Sequence, residues 1–335
     1  MSEKPIVGIT MGEASGIGPE ILVKALTEKT VTEACRPLAI GDAKILERAK
    51  DQFGADIAFN PVASPKDADW SGSKVNLVDL DNIPLSTLAP GKHNAVTGRA
   101  MLDYTDRIIE YFKKGSIHAG VGGPHSKKAA DEAGCNFVGY PYYIADMIGA
   151  EHPYMMLVAD RTRVANTTLH VALREACDMI SKDLVLNCIL AVNTAVEMFG
   201  VTRPRIAVTG LNPHSGEEGM FGTEEVEHIR PAIQAAQAMG IQAEGPFPAD
   251  ALFYQCNTHP RYDAYVGMYH DQAHIPVKVE SFKSGSAVAI GIPYVFATVD
   301  HGCAPDIAWQ GVADPVVIQT TIRLVSQMAS YKYGL

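Results

Sequence analysis

Three histidines stand where the chain leaves apolar runs: His170 in TTLHVALRE, His214 in GLNPHSGEEG and His270 in VGMYHDQAHIP. Neutral imidazole is the commonest side-chain ligand for a divalent transition metal. Three such ligands leave positions open for substrate oxygens, which is how catalytic sites differ from closed structural ones. The spacing between the three carries no motif, and a lone histidine is more often a satisfied structural residue, so their convergence depends on the fold. The run His270-Asp271-Gln272-Ala273-His274-Ile275-Pro276-Val277-Lys278 concentrates titratable groups. Lys278 would neutralise a substrate carboxylate, or move a proton if burial lowered its pKa; a solvated lysine on a strand edge is the commoner fate. Asp300-His301-Gly302 is a further polar cluster. No serine or cysteine is identifiable as its nucleophile, so a hydrolase triad has no support.

The segment Thr10-Met11-Gly12-Glu13-Ala14-Ser15-Gly16-Ile17-Gly18 follows an apolar run and opens an amphipathic one. Glycines there let backbone N–H groups approach an anion at a helix N-terminus. Its G-x-x-x-G-x-G spacing mimics the cofactor loop of short-chain dehydrogenases and is not the G-x-G-x-x-G dinucleotide fingerprint. Short-chain enzymes also need Lys four residues after a catalytic Tyr, and none of the 13 tyrosines has one. A glycine turn shaped for packing and a ligand loop stand level on this segment, and no cofactor-binding residue is assigned.

The elements that position these residues alternate. Strands are expected at 5–12, 37–41, 118–123, 205–211, 264–269 and within 287–299. Helices are expected at 19–29, with Pro19 in the first turn, and at 43–53, 97–114, 184–199, 224–239 and 314–329. Alternating strands and helices predict an α/β fold with mainly parallel sheets. Strand ends at one edge of such sheets are where α/β proteins build sites. A chain of 335 residues has room for two α/β lobes. The boundaries drawn here are 1–138 plus 305–335 for the first lobe and 139–304 for the second, which carries most of the metal and substrate candidates.

The bulk composition excludes more than it assigns. The chain is 47% hydrophobic and 20% charged, with a net charge of −10. An acidic surface repels phosphate backbones, so nucleic acid is not an expected partner. No apolar stretch reaches bilayer-spanning length, and MSEKPIVGITMG lacks the apolar run of a signal peptide, so a cytoplasmic location is expected. The 6 cysteines form no CxxC pair and read as reduced thiols. Cys303, in HGCAPD, reads as a small packed side chain.

Taken in order, several segments resemble one family, the 4-hydroxythreonine-4-phosphate dehydrogenases of pyridoxine biosynthesis. ITMGEASGIGPEI is similar to that family's opening ITMGDPAGIGPEI, and GLNPHSGEEGMFGTEE to its GLNPHAGE-x-G-x-FG-x-EE. MYHDQAHIPVK is similar to MYHDQG-x-IP-x-K, and VDHGCAPDIAWQGVAD to S-x-DHGTA-x-DIA-x-G-A. The matches run from residue 5 to about 315. The resemblance implies a two-lobed α/β/α subunit like the isocitrate and isopropylmalate dehydrogenases, and a homodimer with its active site at the interface. It implies a divalent metal on His170, His214 and His270, and NAD or NADP as oxidant. It also implies a substrate-contacting Lys278 and acidic site residues Asp250 (in FPADALF) and Asp271. The implied reaction oxidises a secondary alcohol β to a carboxylate, then decarboxylates the product. Three imidazoles favour a transition metal, zinc first, with magnesium, manganese, cobalt or nickel as alternatives.

The departures bear on substrate. The family's substrate-binding G-H-T-E is Gly139-Tyr140-Pro141-Tyr142 here, its asparagine falls on Ala287, and its arginine falls on Phe296. Charged hydrogen bonds to phosphate contribute about 1.5–3 kcal/mol each. Replacing them by Tyr140, Pro141, Ala287 and Phe296 implies an unphosphorylated carboxylated diol, such as an aromatic cis-dihydrodiol stacked on Tyr140, Tyr142 or Phe296. F-x-G-Y-P, Pro124-His125 and S-A-x-x-I-G resemble the branch holding terephthalate cis-dihydrodiol dehydrogenase. The alternative is 4-hydroxythreonine 4-phosphate or a related phosphorylated hydroxy acid. Glu13 and Ala14 replace the family's Asp-Pro.

Overall fold

The computed structural model describes residues 3–159, 162–280 and 285–335, with backbone alone for Asn257. The chain runs β1 (Ile6–Thr10), α1 (Gly18–Leu26), α2 (Lys29–Ala34), β2 (Arg36–Gly41), α3 (Ala43–Phe53), β3 (Phe59–Val62), β4 (Val75–Asp79), α4 (Ala95–Lys113), β5 (Ala119–Gly122), α5 (Lys127–Glu132) and α6 (Tyr140–Ile148). It continues through β6 (Tyr154–Ala159), β7 (Thr162–Asn166), α7 (Leu173–Met179), α8 (Lys182–Glu197), β8 (Arg205–Thr209), α9 (Arg230–Ala238), β9 (Gln242–Phe247), α10 (Ala249–Thr258), β10 (Ala264–Gly267), α11 (His270–Glu280) and β11 (Ser286–Ile290). It ends in β12 (Val295–Val299) and α12 (Val316–Tyr333). Among the described residues no single helix is long and apolar enough to cross a membrane.

Two compact units divide the chain, Met1–Ile148 with Tyr294–Leu335, and Gly149–Pro293. The boundaries expected at 138/139 and 304/305 therefore lie at 148/149 and 293/294. Tyr140 on α6 donates its hydroxyl proton to the Gly123 carbonyl at 2.9 Å, which ties α6 to the first unit. β12 joins that unit's sheet by pairing parallel with β5.

In the first unit the strand order is β3-β4-β2-β1-β5-β12, and all five neighbouring pairs are parallel. Parallel strands covered on both faces read as continuous apolar runs, as in IVGIT of β1. Asp42 caps α3, accepting from the N–H groups of Lys44 at 3.1 Å and Ile45 at 3.3 Å, and Gly54 closes it in the left-handed conformation, φ 65°. Asn94 and Thr97 form a reciprocal cap at the start of α4. α4 lies so close to α5 that a Cβ on Gly98 would sit 2.0 Å from the Ala129 carbonyl oxygen.

In the second unit the order is β11-β6-β7-β10-β8-β9. β7, β10, β8 and β9 pair parallel, while β6 runs antiparallel to both β11 and β7. The mainly parallel α/β architecture expected from the sequence is present in both units.

Candidate active site

The second unit builds its candidate site where β7 and β10 end. His170 follows β7, and β10 leads through Tyr269 into α11, so His270 and Asp271 form that helix's first turn. The sequence reading assigned no element to His270–Lys278; the run is a helix. Leu169, His170, Leu173, Tyr269, His270 and Asp271 line a cavity of about 360 Å³. The His170 and His270 rings are 5.9 Å apart, centroid to centroid.

His270 is held from two sides. Its Nδ1 lies 2.6 Å from Asp271 Oδ1, and its ring stacks on His274 at 3.7 Å with an interplanar angle of 10°. His274 Nδ1 lies 2.9 Å from the His270 carbonyl oxygen and donates to it. Burial first, and the neighbouring His270 second, push the His274 imidazole down to about 4, so it is neutral near pH 7. His270, His274 and Lys278 follow one another at helical i, i+4 spacing and share a face of α11. Lys278 is half-buried there.

His214 is not on that wall. It sits in the 213–219 segment, its Nδ1 3.3 Å from Glu217 Oε1 and its ring edge-on to Phe221 at 6.2 Å. His214, Ser215, Glu217 and Glu218 all have left-handed φ between 44° and 56°. Buried Glu225 fixes the preceding turn, accepting from the N–H groups of Leu211 and Asn212, each at 2.7 Å. Asp250 is exposed in the first turn of α10 and is not among the cavity-lining residues. Among the described residues no three His, Cys, Asp or Glu side chains are gathered so as to hold a metal ion. One chain brings His170 and His270 together and leaves the expected third ligand, His214, elsewhere.

The two aromatic residues expected in the substrate pocket, Tyr140 and Phe296, are core residues of the first unit. Tyr140 and Phe296 are each 1% exposed. Tyr140 packs against Phe296 at 5.4 Å, Phe137 at 5.3 Å and His125 at 5.0 Å. Burial raises the Tyr140 phenol well above its ordinary value. With their faces covered, neither ring is presented for stacking on a substrate. Pro141 is buried beside Tyr140, and Ala287, 5% exposed, pairs with Leu157 in the β11/β6 ladder.

The glycine segment after β1 packs against protein. A Cβ on Gly16 would meet the Cys303 Cβ at 2.6 Å, and one on Gly18 the Met11 carbonyl oxygen at 2.3 Å. Three of its N–H groups are committed: Glu13 donates to Pro124, Gly16 to Glu13 and Ile17 to Cys303. The close approaches at Gly16 and Gly18 fit the packing role. Glu13, which the sequence left without a role, is fully buried, its Oε2 2.9 Å from His93 Nδ1. Cys303 is 5% exposed, and burial pushes its thiol above the ordinary range, the opposite of an activated nucleophile.

A family model described as pyridoxal phosphate biosynthetic protein PdxA matches residues 33–325. A protein of Symbiobacterium thermophilum, provisionally named D-threonate 4-phosphate dehydrogenase, is 39% identical over 330 residues, 98% of each chain. The crystal structure of a 4-hydroxythreonine-4-phosphate dehydrogenase from Burkholderia phymatum superposes with TM-score 0.86 at 38% identity, over 98% of this chain and 99% of that one. A terephthalate 1,2-cis-dihydrodiol dehydrogenase from Burkholderia xenovorans LB400 gives TM-score 0.70 at 31% identity, over 96% of this chain and 98% of that one. This chain belongs to the PdxA family.

Proposed function

We infer that this chain is an NAD(P)-dependent dehydrogenase acting on the secondary alcohol of a phosphorylated hydroxy acid, of the 4-hydroxythreonine 4-phosphate or D-threonate 4-phosphate kind, with loss of its carboxylate as CO2. The observation carrying this reading is the single wall formed by His170, His270 and Asp271, with Lys278 on the same helical face as His270. The nearer relatives are named for phosphorylated acids. Of the rings expected to stack on an aromatic dihydrodiol, Tyr140 and Phe296 have their faces buried, and the protein named for that substrate is more distant. That expectation is withdrawn in favour of its alternative.

The Asp271 carboxylate beside His270 Nδ1 orients the ring and leaves Nε2 as its outward atom. So held, His270 would offer Nε2 to a divalent cation, and Lys278 is assigned to accept the alcohol proton when the carbinol hydrogen leaves as hydride. The ketone formed lies β to a carboxylate. Breaking the bond to that carboxylate releases CO2 and sends its electron pair towards the ketone, and carbon is then protonated. Lys278 is assigned to hold the leaving carboxylate and return a proton. Asp250 stays a proposed acid of the site from the family resemblance alone.

NAD(P) supplies the hydride-accepting carbon; the glycine segment is packed against protein, and no residue is assigned to the dinucleotide. A divalent metal, when bound, supplies Lewis acidity towards the substrate oxygens. His170 and His270 offer it two imidazoles, which do not complete the site within one chain. A homodimer in which a second copy supplies the missing ligand would complete it. Exposed Leu173, Met179, Met220, Phe221, Ile275 and Val279 give the second unit an apolar surface suited to such a contact.

The test is the stoichiometry of NAD(P)H and CO2 formed from a phosphorylated hydroxy acid. One mole of each per mole of substrate, with turnover reduced at least about 100-fold in His170→Ala and His270→Ala, is expected. NAD(P)H without CO2 removes the decarboxylation step. Unimpaired turnover in both variants removes the assigned site.

A further inference from the structure

The α11 face holds a third imidazole to which neither the family resemblance nor the proposed chemistry gives a task. His274 is not a lining residue of the cavity. It lies behind His270, half-buried, with the two rings nearly parallel at 10° and 3.7 Å apart. Its Nδ1 proton is committed to the His270 carbonyl at 2.9 Å, which fixes the ring against its own helix. His270 has an edge contact to Asp271 through Nδ1 at 2.6 Å, and this leaves the ring free to swing about that bond. A flat partner on one face removes the swing. The carboxylate and the stacked ring together define both the direction of His270 Nε2 and the plane in which it lies.

We propose that His274 is a positioning residue that fixes the ring plane of His270 by stacking, and so sets the affinity of the His170–His270 wall for a divalent cation. This rests on the reading of His270 as a metal ligand. Groups that orient ligand histidines typically change metal affinity about 10–100-fold. A planar ring at position 274 should therefore preserve affinity, and an aliphatic side chain should not.

The experiment is calorimetric titration of the full-length protein with Co(II), followed in parallel by the visible absorption of the bound ion. Wild type, His274→Ala, His274→Leu and His274→Phe are compared, each first checked for an unchanged thermal unfolding midpoint without metal. His274→Ala and His274→Leu are expected to bind Co(II) about 10-fold or more weakly. His274→Phe, which keeps a stacked ring, should recover to within about 3-fold of wild type. Wild-type affinity in His274→Leu overturns the positioning role while leaving the metal site standing. So does a His274→Phe variant as weak as His274→Ala. A wild-type protein that takes up no Co(II) overturns the metal reading itself, and the inference with it.

Discussion

Glu225→Ala should release the segment that carries His214 without unfolding the unit around it. Glu225 is 1% exposed. Its carboxylate accepts from Leu211 N and Asn212 N at 2.7 Å each and from Asn212 Nδ2 at 3.0 Å. Hydrogen bonds to a charged acceptor contribute about 1.5–3 kcal/mol each, so the three together hold about 4–9 kcal/mol. Against them stands the strain of the segment they anchor. His214, Ser215, Glu217 and Glu218 are left-handed, at about 1–2 kcal/mol for each non-glycine residue, or about 4–8 kcal/mol in all. The two sums nearly cancel. Removing the anchor lets the segment relax, so the global unfolding free energy should fall by about 1–3 kcal/mol and not by the full value of the bonds. Urea unfolding measures the first quantity, and amide hydrogen exchange over residues 211–219 measures the release. Ser215→Gly removes one left-handed penalty and should stabilise the protein by up to about 1 kcal/mol. Exchange unchanged in Glu225→Ala, or a global loss above about 4 kcal/mol, would refute the argument that strain and anchor balance here.

Three further outcomes are expected. The Ile6 N–H donates to His118 Nδ1 at 2.9 Å, and burial lowers that imidazole below its ordinary 6.5. The folded state disfavours the proton, so this contribution is complete above about pH 6.5 and is lost as pH falls below it. The stability advantage of wild type over His118→Ala in urea should shrink between about pH 8 and about pH 5; an advantage that grows would contradict the assignment. Gly98→Ala places a Cβ 2.0 Å from the Ala129 carbonyl oxygen and should cost about 1–3 kcal/mol or more by forcing α4 from α5, seen as a lowered urea midpoint. Tyr140→Phe loses the hydroxyl's bond to Gly123 and should cost about 1 kcal/mol of stability, with kcat/KM unchanged. A kcat/KM loss of about 10-fold or more would return Tyr140 to the substrate pocket.

Where the local signals were complete, the sequence and the structure agree. Ala43–Phe53 is read and found with the same ends, because Asp42 caps it, Gly54 terminates it and its apolar residues fall on one face. β3 was missed: it is a short edge strand, FNPV, with Pro61 inside, and proline in a short run argues against a strand. α11 was missed because HDQAHIPVKVE carries Pro276 within it and little apolar periodicity. The histidine pair was legible as residue types, yet its members meet only through the ends of β7 and β10. The left-handed run at 214–218 has one glycine, Gly216, so its own residues do not announce it; the turn before it is anchored by the buried Glu225 carboxylate, which follows it in the chain. Tyr140 and Phe296 looked like pocket residues because the positions they replace bind substrate in the family. Their burial is decided by Phe137, His125 and each other, which sequence alone does not bring together.

The most direct test of the central claim is the ratio of kcat/KM for a phosphorylated hydroxy acid, such as D-threonate 4-phosphate or 4-hydroxythreonine 4-phosphate, to that for its dephosphorylated counterpart. It is followed by NAD(P) reduction with metal-loaded protein, beside a cyclic cis-dihydrodiol carboxylate. The account predicts that the phosphorylated acid is the preferred substrate, with no turnover of the diol. Equal rates with and without the phosphate, or turnover of the diol alone, would contradict the account.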